Sequence, residues 1–86
     1  MIYKIDESHM VIHKTAKLYK ACVMHMALVD TITIDLSEVE KIDTSGIAVI
    51  MAWWQYALKH GIECQFKFNS VVENSMQSYQ LELPKV

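Results

Sequence analysis

The chain has 86 residues, 52% of them hydrophobic and 21% charged, with two glycines and one proline; this suits one small domain with a core and excludes a disordered or low-complexity polymer. Eight lysines face ten acidic residues for a net charge of −2, and there is no arginine. Nucleic-acid binding by counterion release wants a basic face, usually with arginine to grip phosphates and base edges, so nucleic acid is excluded as a partner.

In chain order, the first residues lack a basic segment followed by an apolar run, so no secretory leader is expected. Ile2–Ile5 and Met10–His13 read as two short strands around the polar turn Asp6-Glu7-Ser8, a hairpin although the turn lacks an Asn-Gly or Asp-Gly pair. From Thr15 the period becomes helical: Leu18, Cys22, His25, Met26 and Val29 share one face, with Lys17 and Lys20 opposite. On that apolar face His25 reads as a satisfied core histidine. Thr31–Leu36 then alternates, Ile32, Ile34 and Leu36 pointing one way and Thr31, Thr33 and Asp35 the other, which predicts a half-buried strand.

A polar connection, Ser37–Lys41, leads to Ile42-Asp43-Thr44-Ser45-Gly46 and a long helix to about Lys59, stopped by His60-Gly61. The apolar run within it, Gly46–Leu58, covers 13 residues, short of the roughly 20 that a membrane span needs, so a buried helix and no membrane insertion are expected. Ile62–Phe68 alternates again, with Cys64, Phe66 and Phe68 on one side. Ser70 and Glu73 match a capping box, and Val72, Met76 and Tyr79 give a third helix its apolar stripe. Cys22 and Cys64, 42 positions apart in apolar surroundings, read as free buried thiols in a reducing cytoplasm. The order β-β-α-β-α-β-α implies an α/β fold: a single domain over residues 1–86, with a mixed four-stranded sheet and helices packed mainly on one face.

The informative segment is Asp43-Thr44-Ser45-Gly46, where a strand-like stretch hands over to a helix. Asp, Thr and Ser are all favoured N-caps, and a well-capped helix start accounts for them. A hydroxyl exposed there is equally well placed for modification, because a phosphate would add close to two negative charges at the positive end of the helix dipole. Asp43 and Glu40 would repel that phosphate, so it would change the local surface rather than only stabilise it. In the helix that follows, Ile47, Ile50, Met51, Trp54, Ala57 and Leu58 form one wide apolar face, predicted to be the core. Val49, Trp53 and Tyr56 form a second stripe. Either a neighbouring helix covers that stripe, or it is an exposed aromatic patch beside Thr44 of the kind that anchors interfaces.

Other chemistries find little support. His9, His13, His25 and His60 show no zinc spacing, and His9 and His13 on a strand would stand about 13 Å apart. Asp35 with Asp43, or Glu38 with Glu40, could be paired as acid and base, but they lie in a solvated turn with no nucleophile–base pair or glycine-rich phosphate loop. No catalytic residue, metal or cofactor is expected, and the chain reads as a non-enzyme.

The strand Thr31–Leu36, the turn Ser37-Glu38-Val39 and the Ile42-Asp43-Thr44-Ser45-Gly46-Ile47 lead into a long helix resemble the STAS domain family. The pattern is D-L-S-x-V-x-x-I-D-[ST]-[SA]-G, which Asp35 to Gly46 match position by position. The resemblance covers about Thr31 to Leu83 in residue detail and Ile2 to Val29 only in element order. It implies a regulatory module that docks to another protein through this loop. In the anti-sigma factor antagonists of the family, the first hydroxyl after the Asp is phosphorylated by a partner serine/threonine kinase, which releases the antagonist. By position that residue is Thr44, with Ser45 the alternative, and Asp43, Thr44, Ser45, Gly46, Val49, Trp53 and Tyr56 would form the partner-binding surface. The stripe would equally serve a homodimer.

Two departures matter. A threonine stands where those antagonists usually carry serine, which resembles the STAS subunits of bacterial phospholipid-transport ABC complexes and the small STAS proteins of chemotaxis clusters. The chain also stops after the third helix, where many members continue with a strand and a helix. Three partners follow from the resemblance: an anti-sigma kinase, a transport ATPase subunit, or a chemosensory assembly. Nucleotide binding, reported for some members, is the least favoured, since no Walker-type loop is present.

Overall fold

Alternation makes Thr31–Asp35 and Glu63–Lys67 two-faced strands, and in the structure, a computed structural model describing residues 1–86, they pair side by side. The elements are β1 (Ile2–Lys4), β2 (His9–Met10), α1 (Thr15–Met26), β3 (Thr31–Asp35), β4 (Lys41–Ile42), α2 (Thr44–His60), β5 (Glu63–Lys67) and α3 (Ser70–Ser78). β1, β3 and β5 form a parallel sheet in that order, with Ile2 opposite Thr33 and Thr31 opposite Glu63. β2 and β4 form a second, two-stranded parallel sheet. Beyond β5, Pro84–Val86 makes a short bridge: the Phe66 N–H donates to the Pro84 carbonyl and the Val86 N–H to that of Phe66, both at 2.9 Å.

The α/β class and the three helices match expectation, whereas the single mixed four-stranded sheet does not. The first two strands form no hairpin. The Ile5 N–H donates to the Asp35 carbonyl at 2.9 Å, extending β1 along β3. The Ser8 carbonyl then accepts from the Glu40 and Lys41 N–H groups, which carries β2 onto the newly formed β4. With no hairpin residues in the Asp6-Glu7-Ser8 turn, nothing local opposes these long-range pairings. The second strand is also shorter than predicted, because residues 12–14 already turn toward α1.

One cluster of 17 buried side chains gathers Ile32, Ile34, Cys64 and Phe66 from the sheet with Cys22 and Met26 of α1, Ile47, Ile50 and Trp53 of α2, and Val72 and Met76 of α3. The helices therefore cover one face of the three-stranded sheet. Ile2, Lys4, Thr31, Glu63, Gln65 and Lys67 on the other face stay exposed. Asp35 departs from that open face: it is only 9% exposed, and its Oδ1 accepts from the Ser37 N–H at 2.9 Å, closing a turn at the end of β3.

Three local readings change. Asn69, not Ser70, caps α3, its side chain accepting from the Val72 N–H at 2.9 Å, while Glu73 pairs with Lys85 instead of completing a capping box. Tyr79 lies outside the core at 50% exposure. His25 is also exposed, its ring 4.8 Å from that of Tyr3 and its Nδ1 3.1 Å from the Ala21 carbonyl oxygen. It sits at the margin of the α1 stripe, beside the buried Met26. No helix is long and apolar enough to cross a membrane.

Candidate functional site

The twelve-residue pattern from Asp35 to Gly46 can be assigned residue by residue. Asp35 accepts from the Ser37 N–H and ends β3. Hydrogen bonds from the Ser37 side chain and backbone hold the Asp35 carboxyl below the usual carboxylate range, against the opposing effect of its burial. Leu36 and Val39 are fully buried. The Asn69 side-chain amide ties this turn down, donating to the carbonyls of Ser37 at 3.1 Å and Val39 at 2.6 Å.

Asp43 is the N-cap of α2, with an extended backbone at φ −112° and ψ −173°. Its Oδ1 accepts from the Gly46 N–H at 3.1 Å and its Oδ2 from the Ile12 N–H at 3.2 Å, so one carboxylate starts the helix and anchors the chain after β2. Gly46 explains the small residue at the fourth position. A Cβ there would stand 2.5 Å from Ile42 Cγ1 and 2.6 Å from the Met10 carbonyl oxygen. The close approach at this glycine is made by the protein's own β2 and β4.

Thr44 differs from these neighbours. It is the first residue of α2 and its side chain is exposed. Asp43 satisfies the N–H groups of Gly46, through its side chain, and of Ile47, through its carbonyl. The N–H groups of Thr44 and Ser45 have no intrahelical acceptor, as in any first helical turn. An exposed hydroxyl, two free donors and the positive end of a 17-residue helix thus meet at one corner. Ser45 is half-buried and faces a shallow groove of about 390 Å³ between α1 and α2, lined by Thr15, Ala16, Tyr19, Ser45, Ala48, Val49 and Ala52.

The aromatic stripe does not lie open beside Thr44. Trp53 is 0% exposed and Val49 8%, because α1 packs across this side of α2 and the Trp53 Nε1–H donates to the Tyr19 carbonyl at 3.3 Å. Trp53 is core and offers no contact surface, while Val49, nearly buried, still lines the groove. Tyr56 is half-buried, its ring 4.2 Å from that of His60 near the far end of the helix. The face predicted to be core has its own exception in Leu58, 62% exposed, with Met51 and Trp54 only partly covered. The structure therefore brings together Asp43, Thr44, Ser45 and Gly46, leaves Tyr56 remote, and adds Ala16, Tyr19, Ala48 and Ala52. The sequence signal for the last two is their i, i+4 spacing as small residues outside both apolar stripes of α2; Ala16 and Tyr19 needed the placement of α1.

A larger cavity of about 490 Å³ lies at the opposite end of the sheet, between the starts of β3 and β5 and the side chains of Trp54, Leu58 and Ile62. Cys64 lines it, but burial pushes this thiol up to about 11. Burial, with a smaller contribution from Cys64, pushes the Cys22 thiol up to about 12. Both sulfurs stay protonated near neutral pH and are poor nucleophiles. No group of three or more His, Cys, Asp or Glu side chains is arranged to hold a metal ion. A scan of protein-family models and a search of curated proteins return no match to this chain.

Proposed function

We propose that this chain is a STAS-type regulatory module of the anti-sigma factor antagonist kind, a non-enzymatic cytoplasmic domain that binds a partner protein through the corner formed by Thr44 and the α1–α2 groove. The observation that carries the reading is the division of labour within the motif. Asp35, Leu36, Ser37, Val39, Ile42, Asp43 and Gly46 are each used in turn formation, burial, capping or close packing. Of the two exposed matched residues, Ser37 is engaged with the Asp35 carboxylate, whereas the Thr44 hydroxyl makes no hydrogen bond within the molecule. The groove beside it offers a partner apolar area and a hydroxyl, bounded by Tyr19, Ser45, Ala48 and Ala52. Phosphorylation of Thr44 would place nearly two negative charges at that rim and abolish a fit made to the neutral hydroxyl.

The test is a titration of an anti-sigma serine/threonine kinase with wild-type, Thr44→Ala and Thr44→Asp proteins, together with a phosphorylation assay. The reading expects phosphate transfer to wild type but not to Thr44→Ala, and loss of binding in Thr44→Asp. A Thr44→Asp protein that binds the kinase as tightly as wild type overturns it. The threonine at position 44 favours a second reading, an accessory subunit of a transport ATPase in which the hydroxyl is a contact and no phosphate is involved. There Thr44→Ala should weaken assembly by about 1–2 kcal/mol, and unchanged assembly and ATPase rate would remove it.

A further inference from the structure

We propose that the outer face of α1 is a docking surface for an acidic amphipathic segment of a partner protein, separate from the Thr44 corner. Cys22 and Met26 turn inward from α1. Opposite them, Lys17, Lys20, Met24 and, just past the helix end, Leu28 follow one another at i, i+3, i+7 and i+11, within about 80° of the helical wheel. Met24 is 71% exposed and Leu28 83%, the latter the most exposed of the large apolar side chains. The helix carries no acidic residue. The three ion pairs of the molecule use Lys4, Lys14 and Lys85, so Lys17 and Lys20 stand without a counter-charge. Of the flanking acids, Glu7 is held by Lys14 and Asp30 follows Leu28. In a chain of net charge −2, this stripe is a positive end joined to an apolar end, about 16 Å long at 1.5 Å per residue.

That charge pattern selects the occupant. A second copy related by a two-fold axis would set lysine against lysine if the helices ran parallel, or lysine against Met24 and Leu28 if antiparallel. Neither arrangement supplies a counter-charge. A lipid surface favours a helix whose apolar and basic residues divide around the axis along its whole length. Here they divide along the axis, with only two apolar side chains to insert. A partner segment with carboxylates at one end and an apolar notch at the other satisfies both halves at once, Met24 and Leu28 serving as buried anchors and Lys17 and Lys20 as steering charges.

The experiment uses a synthetic helical peptide of about 16 residues, with Glu on one half of a face and Leu on the other, titrated into isotopically labelled full-length protein at low salt. Resonance shifts should cluster on residues 17–28. Lys17→Glu/Lys20→Glu should weaken binding at least about tenfold and Met24→Ser/Leu28→Ser about fivefold. Raising the salt should weaken the wild-type complex, and Thr44→Ala should leave it unchanged. All four substituted α1-stripe positions are exposed, so circular dichroism should report an intact fold. Absence of peptide binding overturns the proposal, as do shifts centred elsewhere or variants that bind like wild type. Stripe-dependent binding to phosphatidylglycerol vesicles instead of the peptide would assign the surface to lipid and overturn it too.

Discussion

The molecule contains two helix starts built to one plan. α2 follows Asp43 and α3 follows Asn69; both caps are extended, both accept from the N–H three residues on, and both are followed by an exposed hydroxyl, Thr44 or Ser70. Their surroundings separate them. The Asn69 cap spends its amide on the Ser37 and Val39 carbonyls and pins the β3–β4 turn, and the hollow that Asn69 lines there is mostly polar. The Asp43 cap anchors the chain after β2, and the hydroxyl beyond it adjoins a groove of small side chains between two helices. A capped hydroxyl alone is therefore structural grammar. It becomes a candidate control point only where a partner has an apolar surface beside it to occupy.

Substitutions at the two starts would break or sharpen this contrast. The largest effect is expected from Gly46→Ala, whose new methyl would meet the Met10 carbonyl and Ile42 at 2.6 and 2.5 Å; α2 must lift from β2, at about 3 kcal/mol in urea unfolding. Gly61→Ala, at φ 67° but with nothing within 4 Å, should cost only about 1 kcal/mol. A smaller loss for Gly46→Ala than for Gly61→Ala would show that the α2 start is not tightly wedged.

Exchanging the cap chemistries comes next. Asn69→Asp keeps the cap acceptor but aims a carboxylate oxygen at two carbonyls, and should cost about 2 kcal/mol. Asp43→Asn keeps the bond to Gly46 while facing an amide N–H₂ toward the Ile12 N–H, at about 1 kcal/mol. The reverse ranking in denaturant titrations would mean that Asp43, not Asn69, carries the more specific tie.

The smallest stability effects belong to the hydroxyls. Thr44→Ala and Ser70→Ala should each shift stability by under about 0.5 kcal/mol. Partner affinity should fall in the first variant and not in the second. Equal affinities across the two variants would erase the distinction between the starts.

Much of this architecture was legible in residue order. The alternation of Thr31–Leu36 and Ile62–Phe68, the 3.6 period of α1 and α2, and the left-handed stop at Gly61 arise from contacts within a few residues, so local pattern contains them. The motif pointed to Asp43 as a cap for the same reason. Trp53 was harder to read because its helix carries apolar residues nearly all round. Only the crossing of α1 decides which stripe is core, burying Val49 and Trp53 and leaving Leu58 outside.

The N-terminal strands show the same limit from another side. Ile2–Lys4 and His9–Met10 carry strand-like residues, yet their partners lie about thirty positions away in β3 and β4. A short strand's pairing depends on which distant backbone the folded molecule sets beside it, and no neighbour in sequence encodes that choice. By itself the sequence determined the helices, the two alternating strands β3 and β5 and the exposed first position of α2, because propensity, period and capping act locally. The tertiary structure alone decided the split into two parallel sheets, the burial of the aromatic stripe and the groove beside Thr44, since each depends on how separate elements pack against one another.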